Sequence, residues 1–148
     1  MASIIMIAAL AGAVAAGSAD AIEHHVRLDH HKGAVEARYR TTVDIAHRQV
    51  GAVGPGGRSA SLRCAWSANV TVDREARAGA GLSTRSVERR AAIAGSRPGW
   101  CAGQRRAIAQ EVARRGDEVR AHMLAVAEED RAGLLAEIDR LNDDRRTS

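Results

Sequence analysis

Phenylalanine is absent from this 148-residue chain, and its aromatics are Tyr39, Trp66 and Trp100 alone. The core must be assembled from Val, Ile, Leu and Ala around a few rings. That leaves a small domain with modest stability. The same scarcity speaks against nucleic-acid binding, which uses exposed rings as stacking platforms. Beyond the N-terminus no run approaches the roughly 20 apolar residues that cross a bilayer. Gly-x-Ser-x-Gly, His-Glu-x-x-His and any recognisable triad are missing, so no enzyme class is indicated. No motif for a cofactor, internal repeat or domain-splitting linker is present.

What is present begins with "MASIIMIAALAGAVAAGSADA". An apolar run from Ile4 to about Ala16, then small residues, reads as a signal peptide over 1–21, cut after Ala19 or Ala21. The expected location is periplasmic or secreted. No cysteine follows the run, so a lipid anchor there is not supported. Cys64 and Cys101 are the only two cysteines. In an exported chain an even count favours a disulfide. A bridge closing a loop of that size contributes about 3–4 kcal/mol in the chain-entropy model.

Net charge is +4, and nearly all of the positive charge is Arg. Residues 22–100 hold 13 Lys/Arg against 7 Asp/Glu, whereas residues 101–148 hold 9 against 10. The basic front half suits an unknown protein or an anionic envelope component as partner, or else a solvated Arg-rich surface.

The periodicity changes once along the chain. From Ile22 to His31 it is two: Ile22, His24, Val26, Leu28 and His30 on one face, Glu23, His25, Arg27, Asp29 and His31 on the other. A two-residue turn at Lys32–Gly33 would pair His31 with Ala34, Val26 with Tyr39 and Leu28 with Ala37. That register places the like-charged pairs Arg27–Arg38 and Asp29–Glu36 directly opposite, with Arg27–Glu36 diagonal. "GAVGPGGRS" (51–59) superficially resembles a phosphate loop, but has Arg58 where Lys is needed, with a strand to follow, so it reads as a hairpin loop. Leu62, Cys64, Trp66, Ala68, Val70 and Val72 then share a face. A loop centred on Gly54–Pro55 sets Ile45 across from Cys64 and Val43 across from Trp66. A poorly alternating run with Arg85, Arg89 and Arg90 reads as an edge strand.

Beyond "SRPGWC" the period becomes helical. Ile108, Val112, Val119, Met123, Val126, Leu134, Ile138 and Leu141 recur at three- and four-residue steps, with gaps at Arg115/Gly116 and Asp130. Gly116–Asp117 is a candidate end of one helix and cap of the next. The expectation is one α+β domain over 22–143: an antiparallel β-meander of about four strands (22–95) covered on one face by a long or kinked C-terminal helix (101–141), with a frayed tail, 144–148. The acidic runs Glu128–Asp130 and Asn142–Asp144 read as solvated helix faces.

The histidines decide between two functional readings. Neighbours on a strand point oppositely, and His24 and His30 are about 20 Å apart. Zinc ligands sit about 2 Å from the ion, so these four do not chelate together on a straight strand. The metal candidates are two-ligand pairs: His25 with Glu23, and His31 with Asp29. Desolvation disfavours a charged imidazole, so inward-facing His24 and His30 would make acid destabilising. The favoured function is a non-enzymatic envelope or secreted module that binds a partner or self-assembles, the C-terminal helix being a possible homo-oligomer contact. The alternative is a histidine-dependent metal-handling or acid-sensing protein.

Overall fold

A computed structural model describes residues 21–57 and 61–148. The expected leader, apart from Ala21, and Arg58 of the glycine loop lie outside them. The elements are β1 (Glu23–Leu28), β2 (Val35–Val50), β3 (Arg63–Ala78), β4 (Gly81–Pro98), α1 (Cys101–Arg114) and α2 (Gly116–Thr147). The strands form an antiparallel meander in the order β1-β2-β3-β4, and both helices contact the sheet. The fold is α+β, with the layers that the switch of period implies.

Alternation places the core. Every second residue of β3 from Cys64 to Ala76 is buried, and Val35, Ala37, Tyr39 and Thr41 do the same on β2. Ile108, Val112, Val119, Met123, Val126, Leu134 and Ile138 close over them from the helices. Trp66 packs against Gly95, where a side chain could not fit without a shift: a Cβ there would come within 2.7 Å of the indole.

The registers differ from expectation by even steps, which preserve the faces. Val26 pairs with Ala37 and Leu28 with Val35, two residues from the expected register. The turn is longer than Lys32–Gly33, because β1 ends at Leu28 and β2 begins at Val35. The shift brings Arg27 directly opposite Glu36, at 3.5 Å, and removes both like-charged pairs. Between β2 and β3 the shift is four residues: Gln49 pairs with Cys64 and His47 with Trp66. Cys64 is the second residue of β3.

Cys64 and Cys101 are disulfide-bonded, with Cα atoms 4.8 Å apart. The bridge ties the start of β3 to the first residue of α1. Gln49 clamps the same corner: its Oε1 accepts from Cys101 N (2.8 Å), and its Nε2 donates to the carbonyls of Arg63 and Gly99.

β4 runs to Pro98, three residues past the expected end of the sheet, and α2 runs to Thr147, past the expected 141 and through the expected tail. Lys32 bonds Asp143 at 3.2 Å, and the Thr147 hydroxyl bonds the carbonyls of Asp143 and Asp144. The helix break falls at Arg115 (φ −95°, ψ 23°), which serves both helices without a side-chain cap. The expected end-and-cap at Gly116–Asp117 is corrected: Gly116 and Asp117 are the first two residues of α2, and the break precedes them.

Candidate functional site

Three polar assemblies join the sheet to the helices. The most buried centres on Arg74, the next inward position of β3 after Val72. Its side chain is fully buried, with Nη1 2.6 Å from Asp130 Oδ2 and Nη2 2.5 Å from Glu137 Oε2. The Tyr39 hydroxyl donates to Asp130 (3.0 Å), and Ser83 donates to Glu137. Burial works against the Arg74 charge, but its bonds to the two carboxylates prevail and raise its pKa. Burial and the Asp130 charge push the Tyr39 phenol up. The Ser83 hydroxyl, then Arg74, hold the Glu137 carboxyl below its usual range against the opposing effect of burial. Arg74 Nε has no partner among the described residues. The expected solvated run at 128–130 is thus corrected for Asp130: its side chain is only 9% exposed and faces the sheet.

The second assembly lies under β4. His122 Nε2 is 2.8 Å from Glu88 Oε2, although the angle is poor for a hydrogen bond. Arg97 meets Gln104 and Glu111 of α1.

The third assembly contains the histidines. His30 and His31 lie beyond the end of β1, so strand alternation does not separate them. Gly33 (φ 120°) turns the chain, and its N–H bonds the His30 carbonyl at 2.9 Å. Both rings then reach Asp139 of α2: His30 Nε2 at 3.1 Å and His31 Nε2 at 3.6 Å from the same oxygen. The His30 side chain is only 5% exposed, and the two ring centres are 4.1 Å apart. The separation of these histidines is corrected accordingly, and the carboxylate at His31 is Asp139, not Asp29. The Asp139 carboxylate thus stands beside His30, where the inward-face expectation placed apolar neighbours. His24 is half-buried, its ring 6.4 Å from that of Tyr39.

His25 does approach Glu23, at 3.7 Å. Glu23, however, accepts two bonds from Arg40, at 2.6 and 2.8 Å, which hold its carboxyl below the ordinary range. That carboxylate is engaged by a cation. Nearby, on the outward face of β1–β3, a groove of about 510 Å³ is lined by His25, Arg27, Glu36, Arg38, Glu75 and Arg77 among others. Its charges pair internally: Arg27–Glu36, Arg38–Glu75 and Arg77–Glu75 lie at 3.4–3.6 Å.

The last feature is an edge. β1 pairs only with Val35–Arg40 of the sixteen-residue β2, and Thr41 N–H bonds the Ile22 carbonyl (3.0 Å). On that side the backbone groups of Val43, Ile45, His47 and Gln49 meet no strand among the described residues. Val43 and Ile45 are only half-buried.

These features define a disulfide-stapled α+β domain with charged locks between sheet and helix. No protein-family model, curated protein or solved structure matches the chain. No helix among the described residues is long and apolar enough to cross a membrane.

Proposed function

We propose that this protein is an exported, non-enzymatic module that pairs with a second copy of itself through the open edge of β2. The carrying observation is the contrast between the two edges of the sheet. β4 is protected as exposed strands usually are: two bulges interrupt it, and Arg85, Glu88 and Arg97 point inward to carboxylates or His122. The distal half of β2 has neither device. Val50, Val53 and Trp100, three exposed large apolar side chains, flank it.

The charges on the strand suit a two-fold, self-complementary contact. Antiparallel pairing centred on Ala46 sets each Asp44 opposite the partner's Arg48, and Ile45 opposite His47. Asp44 and Arg48 are both exposed and outward-facing. α2 is a poorer contact, because Val119, Met123, Val126, Leu134 and Ile138 are buried within the domain. The Cys64–Cys101 disulfide fits a periplasmic or secreted address. Cleavage after Ala19 or Ala21 would leave at most Asp20 and Ala21 upstream of Ile22.

The test is analytical ultracentrifugation of the chain beginning at Ile22. A dimer is expected, weakened by Asp44→Arg and restored by Asp44→Arg combined with Arg48→Asp. A monomer at all concentrations, or a dimer indifferent to the charge reversal, overturns the reading.

A further inference from the structure

We propose that His30, His31 and Asp139 form a binding site for a single transition-metal ion, independent of the assembly edge. Their donor atoms lie within 4.8 Å of one another. Ligand atoms about 2.0–2.1 Å from a tetrahedral zinc are roughly 3.3 Å apart. The two imidazole-to-carboxylate spacings, 3.1 and 3.6 Å, bracket that value.

The site is built from both layers. The β1–β2 turn supplies two consecutive histidines and α2 supplies the carboxylate, so a bound ion would fasten the turn to the helix. The His30 ring is almost wholly buried, so its orientation is set by packing. His31 is 64% exposed and leaves the site open to solvent. Three protein ligands leave a fourth position for water.

The donor set selects the metal class. Two imidazoles and one carboxylate suit zinc, copper(II) or nickel. Magnesium and calcium prefer oxygen ligands throughout. Two local groups respond to loading. Lys32 Nζ sits 3.8 Å from Asp139 but closer, at 3.2 Å, to Asp143, which retains it when Asp139 binds the ion. The Lys32 amide donates to His30 Nδ1 at 3.3 Å. That bond uses Nδ1 as an acceptor, whereas metal binding through Nε2 leaves a neutral ring's proton on Nδ1. Loading through Nε2 therefore gives up this long bond, so affinity should be moderate.

The test is calorimetric titration of zinc chloride into the tag-free chain. One zinc per chain is expected, with no response to magnesium. His31→Ala and Asp139→Asn should each weaken binding roughly tenfold or more, on the scale of damage to a metal site. Both residues are at least partly exposed, and circular dichroism checks that each variant is folded. His25→Ala should bind as the parent does. Absence of stoichiometric binding, binding unchanged in both site variants, or equal loss in His25→Ala overturns the proposal.

Discussion

Arg74 illustrates what a single residue contributes at the sheet–helix boundary. Burying a guanidinium is costly unless opposite charge and hydrogen bonds offset the lost solvation. Asp130 and Glu137, two turns apart on α2, supply the match. Removing one carboxylate leaves a buried cation with half its partners. Asp130→Ala is therefore expected to lower stability by about 3 kcal/mol, measured as a shift in the urea midpoint. Glu129→Ala, on the neighbouring exposed position, should stay within about 0.5 kcal/mol of the parent. Each half of this lock left a trace in the sequence. Arg74 continues the inward alternation of β3, and Asp130 interrupts the four-residue series Val126, Leu134, Ile138. Nothing local says that the two interruptions meet, because they are 56 residues apart in the chain.

At the scale of elements, β4 shows why a strand can be recognised while its faces stay hidden. Its partners skip Ala92 and Val87, so each is an extra residue in a bulge. A bulge reverses the phase of alternation. Ser83 and Arg85 face inward, then Glu88 and Arg90, then Ile93, Gly95 and Arg97. A period-two reading sees noise where the strand changes phase twice. The second reversal places Gly95 under Trp66. Gly95→Ala should cost about 1–3 kcal/mol by overpacking, seen as a lower thermal midpoint. Gly103→Ala, at a helical position with open space around it, should be neutral or gain up to about 1 kcal/mol. The hairpin registers, by contrast, slipped only by even steps. An odd slip of β1 would have turned Val26 and Leu28 to water, so burial constrains parity more strongly than it constrains loop length.

For the whole molecule, several charged locks hold one helical layer to one sheet, and their chemistry sets the response to acid. The folded-state pKa of Glu137 lies below its ordinary value of 4.5. A depressed carboxylate contributes stability that is full above the unfolded value and is lost as pH falls through the folded one. Stability should therefore decline below about pH 4.5. Glu137→Gln should be less stable at neutral pH and show a shallower acid decline, read from urea midpoints between neutral pH and about pH 3. An acid limb identical to the parent's would remove Glu137 from this account.

Sequence alone determined the layers of this protein, because a period of two and a period near 3.6 leave little choice of face once apolar residues must be buried. It also determined the disulfide partners, since only two cysteines exist. Tertiary structure decided where charge lies. It brought Asp130 and Glu137 over Arg74, and it carried His30 and His31 past the end of their strand to Asp139. Those meetings depend on turn length, bulges and the placement of a helix some hundred residues away. Local pattern does not encode such distances, because it records which side a residue faces and not what stands opposite.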